Sequence, residues 1–143
     1  MRRRLGRDLN GPPDVVQPTP HGRLHHVVLD CPDPLALARF WAALLGSPIT
    51  FTSDDWVVVA ADDHHSGLAF QRAPDHVPPV WGDPARPQQL HLDVMVDDPA
   101  AAGARAVELG ARPLSPPGRN VYADPAGHPF CLVPRPGWAP PVG

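Results

Sequence analysis

The segment His26-Val-Val-Leu-Asp-Cys-Pro-Asp33-Pro34 decides the fold, because it recurs later as His91-Leu-Asp-Val-Met-Val-Asp-Asp98-Pro99. The histidine precedes the aspartate of Asp-Pro by seven positions in both copies. Each copy reads as an alternating, valine-rich strand that leads into a helix, with Asp as the N-cap and Pro at the first helical position. Both helices are expected to end at a Leu-Gly pair. A repeat of this length is a whole supersecondary unit, and two such units are expected to pair around a shared groove, a natural ligand site.

The spacing of apolar residues predicts the same element order, βαβββ, in both halves of the chain. Module one is expected to contain strands at 24–31, 49–52, 56–61 and 67–72 and a helix over 34–45. Module two is expected to contain strands at 90–96, 112–114, 120–123 and 129–133 and a helix that begins at Pro99. The buried side of that second helix is predicted to carry Ala101, Ala104, Val107 and Leu109. The fold class is therefore α+β, with two βαβββ modules.

The chain is expected to form one domain with tails at both ends. Residues 1–22 are predicted to be a flexible arginine-, proline- and glycine-rich tail, and 135–143 a proline- and glycine-rich tail that Trp138 packs back onto the body. The domain covers 23–134, with module one at 24–73, a connector at 74–88 and module two at 89–134. At 143 residues and 43% hydrophobic content, such a chain can bury a sizeable core.

Charge and residue types exclude several classes of function. A net charge of −3 gives no strong attraction to nucleic acid or to an anionic membrane surface. The sequence contains no lysine, which excludes Schiff-base chemistry and a Walker-type phosphate loop. Its single glutamate, Glu108, falls in a predicted helix, so a mechanism that needs a glutamate on a strand has no candidate.

The termini and the cysteines indicate the compartment. The basic start of the chain is not followed by the apolar stretch of a secretory signal, and no apolar run is long enough to span a bilayer. Two cysteines, Cys31 and Cys131, do not make a disulfide framework. We therefore expect reduced thiols and a cytoplasmic protein.

Strand alternation places four ligand-capable side chains around the groove. His26 and His91 hold the same place in the two first strands, while Gln71 and Cys131 lie on the closing strands, each four positions after a glycine. In each strand these residues alternate with aliphatic residues, which are expected to pack under the helices. The groove face also carries Asp30 on one first strand, and Asp93 and Met95 on the other. The same alternation places His128 outside the site.

These features resemble the vicinal-oxygen-chelate superfamily, which contains glyoxalases, bleomycin-resistance proteins and extradiol dioxygenases. The resemblance rests on His26 with Asp33-Pro34, the helix segment Phe40-Trp-Ala-Ala-Leu-Leu-Gly46, and Asp124-Pro-Ala-Gly127-His-Pro-Phe-Cys131-Leu-Val. It covers about residues 24–134 and is closest to a glyoxalase-like branch with Phe-Gln, His-Leu-Asp and Phe-Cys-Leu-Val strands. It implies a half-open, eight-stranded barrel-like sheet, usually in a homodimer that builds each groove from one module of each chain.

The resemblance also implies a set of metal ligands. Carried across residue by residue, the ligand positions of metal-dependent members are His26, Gln71, His91 and Cys131. Gln71 and Cys131 stand where glyoxalases have carboxylates, and Cys131 stands where dioxygenases have one. The glutamate that shuttles protons in glyoxalase chemistry has no counterpart in this set.

Three functions remain open. The first, and preferred, is a glyoxalase-like protein that binds a small organic molecule in the inter-module groove without metal, with contacts from His26, Gln71, His91, Cys131, Trp56, Met95 and Tyr122. The second is a lyase, isomerase or dioxygenase-like enzyme with one divalent transition metal. Zinc is favoured because it accepts nitrogen and sulfur donors. The candidate catalytic base is Asp93 or Asp30. The third is a non-catalytic antibiotic-sequestering resistance protein.

Overall fold

The computed structural model describes residues 18–116 and 118–143, so most of the predicted N-terminal tail lies outside the described residues. Module one comprises β1 (His26–Cys31), α1 (Pro34–Leu45), β2 (Ile49–Thr52), β3 (Trp56–Val59) and β4 (Gly67–Arg72). Module two comprises β5 (Leu92–Val96), α2 (Pro99–Leu109), β6 (Arg112–Pro113), β7 (Val121–Ala123) and β8 (Pro129–Pro134). Both modules have the predicted element order, and their boundaries lie within two residues of the predicted ones.

Each module forms its own four-stranded sheet, with strand orders β1-β4-β3-β2 and β5-β8-β7-β6. The first strand of a module lies parallel to its last strand, and the remaining pairs are antiparallel. The sheets do not close into a barrel, which confirms the predicted α+β fold of two similar modules in a half-open arrangement.

The two helices begin and end as their sequences predict. The carboxylate of Asp33 accepts a hydrogen bond from the amide of Ala36, and that of Asp98 accepts bonds from two amides in the first turn of α2. Gly46 and Gly110 end the helices with positive φ values of 63° and 117°. Glycine adopts this left-handed conformation without the steric penalty of a Cβ atom.

The aliphatic faces of the strands pack under the helices, as alternation predicts. The buried cluster takes Leu29 and Cys31 from β1, Phe70 from β4, and Phe130 and Leu132 from β8. From α1 it takes Leu37, Phe40 and Trp41, so one continuous core runs through both modules. The opposite face of each sheet is thereby left for the groove.

The predicted buried side of α2 is wrong in detail. Ala101, Ala104 and Val107 are exposed, whereas Gly103 and Ala106 are buried, with Leu109 half-buried. The reason is close packing: a Cβ atom on Gly103 would collide with the hydroxyl of Tyr122, so α2 lies against its sheet through its smallest side chains.

The C-terminal segment folds back onto module two, and the side chain of Trp138 within it is about half exposed. Asp97, at the end of β5, accepts hydrogen bonds from the Arg135 guanidinium at 2.7 Å and from the Val142 amide at 3.0 Å. Ala139 is buried beneath this loop. Within the described residues, no helix combines the length and apolar character needed to cross a membrane.

Candidate functional site

A cavity of about 360 Å³ lies between the two modules. Its walls come from β1, the connector and the turn that enters β8: Val28, Leu29, Asp30, His76, Val77, Pro78, Pro79, Arg86, Pro87, Gln89, Leu90, His128 and Pro129. Most of these side chains are apolar, with a few polar groups among them. That composition is typical of sites for small organic molecules.

The connector is fixed against module two and so gives the cavity a defined wall. His76 donates from Nε2 to the carbonyl of Ala126 at 3.1 Å, and Arg86 donates to the carbonyl of Pro78 at 2.9 Å. Pro78 itself lies directly on Gly127, where any Cβ atom would collide with the proline ring. Gly127 has a φ of 92°, so this position favours glycine for both conformation and space.

Asp124 and His128 form a buried pair at the edge of this cavity. The Asp124 side chain is fully buried and lies 2.9 Å from Nδ1 of His128, whose side chain is 15% exposed. The same carboxylate accepts hydrogen bonds from the backbone amides of Ala126 and His128, and from the indole of Trp41 at 3.0 Å. These bonds fix the carboxylate, which in turn holds Nδ1–H of His128 as a donor; in the neutral imidazole Nε2 then carries the lone pair.

His128 stacks on His76, with ring centroids 5.0 Å apart and an interplanar angle of 25°. Both residues line the cavity, whereas strand alternation had placed His128 outside the predicted groove. Alternation gives the direction of a residue inside a strand, whereas His128 precedes β8 and takes its direction from the turn. The sequence feature that could have indicated the position of His128 is the turn Asp124-Pro-Ala-Gly127-His, in which the histidine follows a turn-forming aspartate.

A second cluster combines three of the predicted site residues. One ligand atom each of His91, Asp93 and Cys131 lies within 4.8 Å of the others. The sheet register explains this, because Asp93 pairs with Cys131 across the parallel strands β5 and β8, and His91 precedes Asp93 by two positions. Alternation therefore directs all three side chains to one face.

The electrostatics of this cluster disfavour a free thiolate. Burial, and then the charge of Asp93, raises the pKa of the Cys131 thiol above its ordinary value. Nε2 of His91 lies 3.3 Å from the carboxylate of Asp93, and both side chains are substantially exposed. A cation in this position would offset the charge of Asp93 and favour the thiolate.

Module one does not reproduce the cluster, because its closing strand has a different register. His26 pairs with Gly67, and Gln71 pairs with Asp30. His26 and Gln71 are thus separated by four positions along the parallel strands, about 13 Å. The structure does not bring this half of the predicted ligand set together.

His26 is instead engaged locally. Its Nδ1 accepts a hydrogen bond from the amide of Gly67 at 3.1 Å, and its ring lies 3.8 Å from that of His25. Partial burial, and then the neighbouring His25, lowers the pKa of His26. Both effects favour the neutral imidazole.

The other predicted ligand contacts, Trp56, Met95 and Tyr122, lie on different faces of the sheets. Trp56 packs on Val58, Ala60 and Ala69, away from the main core. Met95 is exposed on the face of β5 that carries Asp93. Tyr122 lies on the other face, stacked on Phe130 and packed against the main core. Tyr122 has this direction because it pairs with the buried Phe130 across β7 and β8. Its neighbours Val121 and Ala123 alternate with it along the strand.

Comparison with solved structures finds the same fold. A glyoxalase/bleomycin resistance protein/dioxygenase family enzyme from Burkholderia phytofirmans PsJN superposes with a TM-score of 0.62 at 16% identity, over 79% of this chain and 98% of that one. A glyoxalase-related enzyme from Fulvimarina pelagi gives 0.56 at 21% identity, over 79% and 88%. The bleomycin-binding protein from Streptomyces verticillus, solved with copper(II)-bleomycin, gives 0.50 at 20% identity, over 82% and 99%.

At these identities the likeness establishes the fold alone. No curated protein matches the sequence. The sequence model of the glyoxalase-like domain does match, over residues 26–133, which is nearly the whole of both modules. The chain therefore belongs to the glyoxalase-like domain family.

Proposed function

We propose that this protein binds a small organic molecule in the inter-module cavity, and that this binding needs no metal. The observation that carries the proposal is the open cavity of about 360 Å³, which β1, the connector and the turn before β8 line together. Known small-molecule sites have about 300–1,000 Å³ and mostly apolar walls with a few fixed polar groups. One fixed polar group in this cavity is His128, which Asp124 holds from behind.

Blocking the cavity tests this proposal. Val28 contributes to its wall from β1 and is 41% exposed, so Val28→Trp adds a large ring to the cavity without disturbing the buried face of the strand. Val107, on the outer side of α2, is 46% exposed and gives the matched control Val107→Trp. We expect a naphthalene-sized aromatic probe to bind the wild type and Val107→Trp equally, and Val28→Trp at least tenfold more weakly. Equal affinity in Val28→Trp would contradict the proposed site.

The cluster on β5 and β8 supports a second candidate, a divalent-metal enzyme. His91, Asp93 and Cys131 offer nitrogen, oxygen and sulfur donors close enough to share one ion, and this donor set suits zinc. The residues fit the metal, although they differ from the four-residue set of the sequence prediction. Bound zinc would supply Lewis acidity for a lyase or isomerase reaction, whereas a dioxygenase-like reaction would need a redox-active divalent metal such as iron at this position.

Metal titration separates the two ligand sets. Cobalt(II) bound to a thiolate gives a charge-transfer absorption band, so it reports Cys131 directly. If His91, Asp93 and Cys131 hold the ion, His91→Ala and Cys131→Ser remove the band and His26→Ala leaves it unchanged. A wild type that binds neither cobalt nor zinc stoichiometrically would contradict this candidate and leave the first one standing.

Turnover distinguishes an enzyme from a sequestering protein. In the metal-free proposal the ligand is held and released unchanged, as in a resistance protein that sequesters an antibiotic. Mass spectrometry of ligand recovered after prolonged incubation is expected to show the original mass. A new product that forms with wild type and not with His91→Ala would support the metal-dependent alternative.

We further propose that the protein is a homodimer. The support is the set of apolar side chains left exposed on one chain, among which Phe51 and Met95 lie on strands. Light scattering coupled to size exclusion is expected to give twice the 15.4 kDa of one chain. A monomer at micromolar concentration would contradict the proposal.

A further inference from the structure

The polar groups of the inter-module cavity indicate the class of ligand, an inference that rests on the proposed binding function. Two of them carry opposite charge, Arg86 and Asp30, so the cavity has no strong preference for an anion or a cation. The remaining walls are mainly valine, leucine and proline. This balance favours a neutral, largely apolar molecule, because a charged ligand would lose its hydration without a net opposite charge to replace it.

The buried pair then defines what the ligand must offer. Nδ1–H of His128 is bonded to Asp124, which is fully buried and held by Trp41 and two backbone amides. Neutral His128 can therefore present only a lone pair, at Nε2, to a molecule in the cavity. Neutral His76 likewise keeps one lone pair, at Nδ1, because its Nε2–H donates to the carbonyl of Ala126. In their neutral forms both imidazoles offer only a lone pair at the ring nitrogen that remains free, so they select a ligand that donates a hydrogen bond.

The stacked rings add a preference for shape. His76 and His128 lie nearly parallel, with centroids 5.0 Å apart, and form a flat aromatic surface at the cavity. Aromatic molecules pack well against such surfaces. We propose that the cavity takes neutral hydroxylated aromatic molecules of the phenol class, with the ligand hydroxyl donating to Nε2 of His128 and with Asp124 as the positioning residue behind it.

The experiment compares 2-naphthol with 2-methoxynaphthalene, which has the same rings and no hydroxyl donor. Calorimetric titration of the wild type is expected to show about tenfold tighter binding of 2-naphthol, the value of one hydrogen bond in an apolar site. His128→Phe keeps a flat ring and removes the acceptor, so both probes should bind it equally. His128→Gln, which can place an amide oxygen near the position of Nε2, should retain part of the preference.

Two controls make the result specific. His65 pairs with Asp62 at 2.8 Å as His128 does with Asp124, but it is 69% exposed and outside the cavity, so His65→Phe should change neither affinity. The ¹⁵N signal of Nε2 in His128 should shift with 2-naphthol and not with the ether. This shift would not arise from a purely structural role of the histidine.

The outcomes separate this inference from the proposed function. If the wild type binds both probes equally and Val28→Trp loses both, the cavity is a binding site and the assignment of His128 is overturned. The assignment is also overturned if His128→Phe keeps the preference for 2-naphthol. If the wild type binds neither probe, the phenol-class inference is wrong, and the binding proposal fails for aromatic molecules of this size.

Discussion

The indole of Trp41 donates a hydrogen bond of 3.0 Å to the carboxylate of Asp124, across 83 positions of sequence. Trp41 lies on α1 of module one and is 1% exposed, while Asp124 begins the turn before β8 of module two and is 3% exposed. This single buried bond joins the core of one module to the turn that carries His128 in the other. The stability of the fold and the geometry of the cavity therefore depend on the same contact.

Trp41→Phe should destabilise the protein by about 2 kcal/mol, because it removes a donor from a buried carboxylate and some buried apolar area. Urea denaturation followed by far-UV circular dichroism measures the change. Trp81→Phe, at a position 44% exposed, is the matched control and should stay within about 0.5 kcal/mol of wild type. Equal stability of the two variants would show that the cross-module bond contributes nothing.

The two cysteines should differ strongly in reactivity. Burial, and then the charge of Asp124, raises the pKa of the Cys31 thiol to about 11, and its side chain is fully buried. We expect iodoacetamide to alkylate Cys131 slowly and Cys31 hardly at all in the folded protein, because the thiolate is the nucleophile. Mass spectrometry of peptides after timed quenching measures both rates. Alkylation of Cys31 at the rate of Cys131 would contradict the packing of β1.

Asp93→Asn should accelerate the alkylation of Cys131 several-fold at pH 8. The charge of Asp93 adds to burial in raising the pKa of Cys131, so its removal lowers that pKa and increases the thiolate fraction. Asp63→Asn, in an exposed turn, is the control and should leave the rate unchanged. A slower reaction in Asp93→Asn would show that the carboxylate activates the thiol rather than suppressing it.

The bond between Asp97 and the C-terminal segment should weaken in acid. Hydrogen bonds hold the pKa of Asp97 below its ordinary value of 3.8. They come from the amide of Val142, the amide of Gly143 and the guanidinium of Arg135. A carboxyl group whose pKa is lower in the folded than in the unfolded protein stabilises the fold at pH values above its unfolded-state pKa. That stabilisation is lost as the pH falls through the folded-state pKa. The chemical shift of the Val142 amide should follow this titration with a midpoint below 3.8, and it should be flat in Asp97→Asn. A midpoint at or above 3.8 would contradict the contact.

The features that could be predicted from the sequence are those that a few neighbouring residues determine. The Asp-Pro caps, the helix-ending glycines and the strand alternation that buries Leu29 and Leu132 all depend on a few neighbouring residues, and the structure confirms them. The neighbourhood of His91 and Cys131 followed from alternation in two adjacent strands.

The remaining features depend on distant contacts that spacing does not show. The separation of His26 and Gln71 follows from a register that differs between the two modules, although the glycine spacing is the same. The entry of His128 into the cavity depends on the connector, which places His76 against it. No periodicity in the connector indicates where it packs.

Gly103→Ala tests the packing of α2 against its sheet. Alanine in a helix is intrinsically better than glycine by about 1 kcal/mol, but at this position its Cβ atom would collide with the hydroxyl of Tyr122. We expect a net loss of stability in Gly103→Ala, because the Tyr122 ring is stacked on Phe130 and packed against the core, which restricts the movement of its hydroxyl. In a Tyr122→Phe background the hydroxyl is gone and the nearest ring carbon is 3.1 Å away, so the same substitution should cost clearly less. A double-mutant cycle by urea denaturation measures this coupling. Additive effects would mean that α2 shifts freely over its sheet, and the small-residue face would then not be what sets the distance between the helix and β7.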